Sequence, residues 1–224
     1  LFSDSYPKGT SILAKTAIGY KDQSANYAFD PEESKRLLDE AGWRPGEDGI
    51  REKDGKRLSV TFNEAVPQPR SKEMFTKAQE MLKNVGIEAN LNPGDRSAQQ
   101  KAMKDQDTVQ VRHTMTGRAN VDTLATWLDG TGRNSFLNYD EATDSFGDEK
   151  LQKLVEDYFN LSSEKERLAM AGHMQDYLSE QAYILPMFEE PQVYALAPHV
   201  KGFDTEAVAR PSFYSVYIDR EEDN

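Results

Sequence analysis

The chain has 224 residues, 37% of them hydrophobic, including 10 Tyr, 10 Phe and 2 Trp. It can bury a core as one large domain or two small ones, and it is too apolar for a disordered chain. Its 39 acidic against 27 basic side chains give a formal net charge of −12, which argues against a nucleic-acid partner, whose phosphates need a basic face. Cysteine is absent, which excludes disulfides, thiolate metal sites and cysteine catalysis.

Residues 1–29 show little periodicity and read as an extended lead-in with one short helical turn near Ile12–Thr16. The opening LFSDSYPKGTS has no basic region followed by an apolar run, so it does not read as a signal peptide. No run of about 18 apolar residues is present to span a membrane. A helix follows at 31–41. Asp30 is its N-cap, Pro31 takes the first helical position, and Glu33 completes a capping pattern. Leu37, Leu38 and Ala41 form its apolar stripe, and Gly42 stops it.

The stretch RPGEDGIREKDGKRLSVTFNEA reads as a hairpin turning at Asp54-Gly55, with Leu58, Val60 and Phe62 on one buried face of a strand. A helix at about 70–85 then presents Met74, Ala78, Met81, Leu82 and Val85, and Gly86 ends it. Ile87–Leu91 is the next strand, so this strand–helix–strand run is long enough for a parallel crossover. Asp95 caps a polar helix to about Asp105, Thr108–Met115 is a strand, and Val121–Leu128 is a short helix. The polar stretch GTGRNSFLNYDEATDSFGD is a long loop of the kind that often carries function. Helices at about 148–160 and 163–182 follow. The first buries Leu151, Leu154, Val155 and Tyr158. The second opens with the capping box Ser163-x-x-Glu166 and packs Leu168, Ala171, Met174 and Leu178. Tyr183–Phe188 and Gln192–Ala197 read as short strands, and FYSVYID as a last one. The pattern is α/β with a mixed sheet flanked by helices.

The residues offer little chemistry. His113, His173 and His199 have no second ligand at metal spacing, so no metal site is expected. No nucleophile elbow, P-loop or dinucleotide fingerprint is present, and no cofactor is expected. The paired carboxylates Glu32/Glu33, Asp39/Glu40 and Glu189/Glu190 read as solvated faces. The more suggestive set is Arg112, Arg118, Asp122, Trp127, Arg133, Phe136, Asn138 and Tyr139. Guanidinium, amide and aromatic groups on loops are what a small polar ligand needs. The competing reading is ordinary loops with Trp127 and Phe136 in the core, and the residues alone leave both open.

The wording of the first helix is informative. YAFDPEESKRLLDEAGW resembles the pattern Y-x-Y-D-P-E-x-A-K-x-L-L-x-E-A-G-W of the extracellular solute-binding proteins of family 5, the dipeptide-, oligopeptide- and nickel-binding components of ABC importers. Tyr27, Phe29, Asp30, Pro31, Glu32, Lys35, Leu37, Leu38, Glu40, Ala41, Gly42 and Trp43 carry the match, with Ser34 replacing the usual alanine. Downstream, DGIREKDGKRLSVTF, MLKNVGIEANL, FLNYDEATDSFGDEKLQKLVEDY and DYLSEQAYILPMFEEPQVYALAPHVKGF resemble later family segments in order.

The resemblance implies one lobe of a two-lobed protein with the periplasmic-binding-protein type II fold. Residues 1–200 would form the second, ligand-binding lobe, and 201–224 would return to the first. It further implies a non-enzymatic, monomeric protein that captures a peptide or similar small polar solute and delivers it to a membrane permease. Its place would be the extracellular side of the bacterial membrane, periplasmic or lipid-anchored, with the export signal outside these residues. A ligand-sensing domain of a transcription regulator is the alternative. In peptide-binding members an acid in a W-x-x-D-x-x-D-P loop pairs with the peptide amino terminus. The corresponding stretch here is MTGRANVDTLATW, which lacks Asp-Pro and has Arg118 where the acid is expected. Arginine suits an anionic group. The ligand-binding residues implied are Arg118, Asp122, Trp127, Asn138 and Tyr139.

Overall fold

A computed structural model describes residues 5–64, 71–92, 97, 110–113, 120–129, 139–140 and 145–219. The chain forms two compact units, residues 28–115 and residues 2–27 together with 116–224. The first is therefore inserted in the sequence of the second.

The first unit opens with α1 (Pro31–Glu40). The Asp30 carboxylate accepts the Glu33 N–H at 2.9 Å. At the other end the Trp43 N–H reaches the Leu38 carbonyl at 2.9 Å and the Gly42 N–H reaches the Asp39 carbonyl at 3.0 Å. This is a Schellman closure, and Gly42 supplies the left-handed residue it needs (φ 88°). The apolar stripe behaves differently from its sequence reading. No residue of α1 is buried, and Leu37 is 51% exposed. The helix is held by its caps and by ion pairs along its surface, Glu32–Lys35 and Glu33–Arg36–Glu40, which favour helix without requiring burial.

Strands β1 (Arg44–Pro45), β2 (Arg51–Lys53) and β3 (Lys56–Arg57) make a small antiparallel sheet. Asp54 and Gly55 both take positive φ, 52° and 73°, as a type I′ turn requires. The parallel sheet follows in the order β5 (Glu88–Asn92), β4 (Ser59–Glu64), β6 (Val111–His113), so the expected crossover is present. Helix α2 (Ser71–Lys83) packs on one face. Met74, Phe75 and Val85 are buried, whereas Met81 is 40% exposed. Phe75 had no place in the sequence-read stripe, yet its ring meets Phe62 edge-on at 5.7 Å and His113 at 5.4 Å. Among the described residues the parallel pairs share one sheet, and the antiparallel pairs form separate small sheets.

Arg51 locks this unit. Its side chain is 6% exposed. Nε donates to the Val85 carbonyl at 3.0 Å, and one terminal nitrogen donates to Asp39 Oδ1 at 2.6 Å and to the Trp43 carbonyl at 2.9 Å. Its backbone N–H donates to the Gly86 carbonyl at 2.8 Å.

The second unit is built on α3 (Val121–Leu128), α4 (Glu149–Phe159) and α5 (Glu164–Glu180). Leu124, Leu128, Leu151, Val155, Met174 and Leu178 are at its centre, joined by Ile12, Leu13 and Ala17 from the lead-in. The lead-in turns at Ala14–Ala17 and Ala17–Tyr20 and has a short 3-10 helix at Ser24–Tyr27. It is stapled to α5 through buried Gln175, whose Oε1 accepts from Ser11 Oγ at 2.8 Å and from the Lys21 N–H at 3.1 Å, and whose Nε2 donates to the Gly19 carbonyl at 2.8 Å. Gly19 (φ 85°) leaves room for Val121, since a Cβ there would lie 2.2 Å from Val121 Cγ1.

Two further sequence readings change. Ser163 sits at the cap position of α5 but makes no side-chain cap bond, so the capping box is not formed; Arg167 Nε ties the start of the helix to the Leu161 carbonyl instead, at 2.9 Å. The stretches 183–188 and 192–197 are not strands. Phe188 makes one isolated bridge to Lys8, and no ladder forms among the described residues. The end of the chain forms short pairs instead, β10 (Asp204–Thr205) with β11 (Pro211–Ser212), and β9 (Val200–Lys201) with β12 (Tyr217–Ile218). The polar helix read at 95–105 lies outside the described residues.

Replacing Arg51 with Met removes the side-chain donor of the Val85 carbonyl, the shorter of two at the Trp43 carbonyl and the ion pair to Asp39, and is expected to cost about 2–4 kcal/mol. Urea unfolding of parent and variant checks this. A difference below about 0.5 kcal/mol would be the size of an ordinary surface change and would show that Arg51 is not a lock.

Candidate functional site

The sequence-read ligand set divides between the units. Arg112 lies in β6, in the first unit, one residue from His113. It is half-buried, and burial pushes its guanidinium down to about 10. Beside it in register is Asn63, which is fully buried and whose Oδ1 accepts from Asn92 Nδ2 at 3.0 Å. Sequence reasoning missed this row, because an asparagine in a strand looks like a weak strand former. Its row sits near the carboxyl ends of the parallel strands, where open α/β sheets place ligands.

Asp122, Trp127 and Tyr139 lie in the second unit. Asp122 is in the first turn of α3, where a carboxylate is favoured by the free N–H groups. Its Oδ1 accepts the Tyr158 hydroxyl at 2.5 Å and lies 3.8 Å from the Arg167 guanidinium. The Tyr158 ring is 1% exposed; burial and then the bond to Asp122 push its hydroxyl pKa up. The carboxylate itself stays about half exposed. Trp127 is half-buried and packs on the hydrophobic core of the unit, as the loop-and-core reading has it. Tyr139 is in β7 (Tyr139–Asp140), opposite Phe146 of β8 (Ser145–Phe146), a hairpin inside the stretch read as loop. Arg118, Arg133, Phe136 and Asn138 lie outside the described residues.

A second carboxylate centre escaped the sequence reading. Asp148 is buried and caps α4, accepting the Leu151 N–H at 2.9 Å. Its Oδ2 also accepts the hydroxyls of Tyr177 at 2.9 Å and Tyr183 at 2.8 Å. Burial raises its carboxyl, but the Leu151 N–H and the tyrosine hydroxyls outweigh it, and the group ends below its ordinary range. Lys150 lies over the Tyr177 ring at 4.4 Å. The signal available in sequence was an aspartate directly before the periodic run that starts at Glu149. All four contacts hold elements together, and none aims a reactive group at open space. Among the described residues no group of three His, Asp or Glu side chains could hold a metal ion.

A family model described as bacterial extracellular solute-binding proteins, family 5 (middle part), matches residues 1–135. The chain belongs to this family. The oligopeptide-binding protein OppA of Mycobacterium tuberculosis is 34% identical over 92 residues, covering 41% of this chain and 15% of OppA. NikA from Brucella suis, solved with Fe(III)-EDTA, superposes with a TM-score of 0.69 at 23% identity, over 95% of this chain and 43% of NikA. AppA from Bacillus subtilis, solved with a nonapeptide, gives 0.66 at 16% identity, over 95% of this chain and 43% of AppA. DppA from Helicobacter pylori, solved with the peptide STSA, gives 0.65 at 19%, over 97% and 40%. These likenesses show the fold, the type II periplasmic-binding-protein kind. The chain spans less than half the length of these solved proteins and a smaller part of the mycobacterial relative. The matched proteins named here are solute-binding proteins, and none is a transcription regulator.

Because the Asp148 pKa is depressed in the folded chain, its contribution to stability is complete above the ordinary carboxylate value near pH 4 and is lost as pH falls through the lower folded value. Asp148→Asn is expected to cost about 1 kcal/mol at pH 7, with the gap closing below about pH 4. Urea midpoints at pH 7, 5 and 3 test it. A gap that stays constant across that series would remove the charge of Asp148 from the account.

Proposed function

We propose that this chain is the second lobe of the solute-binding component of an ABC importer. It closes with a first lobe on a peptide or similar small polar solute and delivers it to a membrane permease. Residues 1–200 act as the lobe, and 201–224 reach toward the first lobe. The protein works as a monomer on the extracellular side of the bacterial membrane, in the periplasm or on a lipid anchor, and does no chemistry on its ligand. The single observation that carries this reading is the family match over residues 1–135, a span that includes the capped helix α1. The 34% identity to OppA, an oligopeptide-binding protein, over 92 residues supports a peptide as the solute.

The ligand wall is assigned to Arg118, Asp122, Trp127, Asn138 and Tyr139. Asp122 supports the assignment, because Tyr158 takes one of its oxygens and its carboxylate remains about half exposed. A fixed carboxylate suits a ligand amine. Arg118 replaces the acid expected in that loop, and its planar fork suits a carboxylate or another anionic group. The two charges together fit a ligand that carries both signs.

Native mass spectrometry of the polypeptide as its gene encodes it identifies the co-purifying ligand, and calorimetry then measures its binding. Losing a charge-assisted bond of about 1.5–3 kcal/mol, Arg118→Ala is expected to weaken binding by at least about tenfold. Unchanged affinity for the co-purified ligand would take Arg118 out of the site.

A further inference from the structure

Asp122 and Arg167 stand side by side without closing into a full ion pair. Asp122 Oδ1 accepts the hydroxyl of buried Tyr158 at 2.5 Å, which fixes the carboxylate. No described residue donates to its other oxygen, Oδ2. An ionised carboxylate has about four acceptor sites, so Asp122 keeps capacity for a further donor. Arg167 Nη1 comes only to 3.8 Å from Oδ1, beyond the roughly 2.7–2.9 Å of a charge-assisted bond. Its Nε is committed instead to the Leu161 carbonyl at 2.9 Å, in the turn between α4 and α5. The two terminal nitrogens of Arg167 make no hydrogen bond to a described residue, and its side chain is 40% exposed. Both charges are thus held in place, with spare acceptors on one and spare donors on the other.

We propose that Arg167 is a specificity-determining residue beside Asp122. Asp122 takes the ligand amine through Oδ2, and Arg167 favours an acidic group next to that amine and repels a basic one. The ligand class is a peptide whose first side chain is acidic or neutral. This inference rests on the reading of Asp122 as a ligand contact, and adds which neighbouring charge selects among ligands. Distance sets the size of the effect. A charge bound next to Asp122 lies well within the roughly 8–10 Å over which charges act at physiological ionic strength. At about 4 Å one pair of unit charges shifts an equilibrium about fivefold even in bulk water. Exchanging an acidic for a basic ligand group turns attraction into repulsion, so the two effects multiply. The net charge of −12 favours basic ligands overall, so a preference for the acidic one reports a local cation.

The test is calorimetry on the polypeptide as its gene encodes it, after any co-purified solute has been removed. The probes are tetraalanine and the same peptide with Glu or Lys as its first residue. The Glu probe is expected to bind at least about tenfold more tightly than the Lys probe. Arg167→Gln and Arg167→Met are both made, so that one folded neutral variant is enough, and either should cut this ratio to about twofold or less. Arg167→Lys keeps the charge and should keep most of the ratio. Equal binding of the two probes by the unmodified polypeptide, or tighter binding of the Lys probe, would overturn the proposal. So would a ratio that survives in a folded neutral variant, which would assign the preference to another cation. Asp122→Asn separates this inference from the reading beneath it, and should weaken all three probes at least about tenfold. If it weakens them while the neutral variants leave the ratio alone, the role of Arg167 fails by itself. If it leaves them unchanged, Asp122 is not in the ligand wall and both fail. Binding of none of the three probes ends the peptide reading and this inference together.

Discussion

The first unit depends on one buried guanidinium. Arg51 joins three places far apart in sequence, namely the end of α1 through Asp39 and Trp43, its own strand β2, and the turn after α2 through Val85. A carbonyl just past a helix end has no partner within its helix and takes its donor from elsewhere. One arginine supplies it twice, at Trp43 and at Val85. The same residue explains a glycine. Gly86 has φ 88°, and a Cβ there would lie 2.6 Å from Arg51 Cγ. The sequence words EAGW, GIR and NVGI are thus parts of a single contact.

The second unit solves a similar problem with neutral groups. Gln175 is 1% exposed, and both ends of its amide are used, by Ser11 and Lys21 on one side and by Gly19 and Ala171 on the other. A buried amide satisfied in this way costs little, whereas a half-satisfied one would cost more than an apolar residue. Around it, Asp176 takes Lys21 and Gln23, and Ser179 takes Asn26. A stretch that looks structureless in sequence is thereby fixed along one helix. Asp148 does the corresponding work at the start of α4 with two tyrosine hydroxyls.

Elements whose signals are local were legible. Capping at Asp30, the turn at Asp54-Gly55, the stop at Gly86 and the periodicity of 149–159 and 164–180 all lie within a few residues of what they specify, and each element was read to within a residue or two. What depended on distant partners was not legible. Leu37 is exposed although its spacing suggests burial, because a stripe states a preference for contact and not the presence of a neighbour. Residues 183–197 have strand composition but no ladder, since pairing needs a second strand that local pattern cannot provide. The site follows the same rule. Asp122 was named, but its tie to Tyr158, 36 positions away, could not be. Trp127 proved to touch the core. Arg118 and Asn138 stand out in sequence as polar groups on a loop, and the row Asn63–Asn92 appears only once the strand register is known.

The insertion of one unit in the sequence of the other bears on the order in which the chain can assemble on the ribosome. Residues 28–115 hold all the groups that Arg51 joins, and every one has been synthesised before α3 begins. The lead-in must wait for Gln175, Asp176 and Ser179, more than 150 positions later. Contacts of such separation are slow to form and leave apolar surface uncovered meanwhile. Until α5 emerges, Ile12, Leu13 and Ala17 lack most of their eventual cover. The first unit can therefore close on its own residues early, whereas the second is complete only once its last helix has been made.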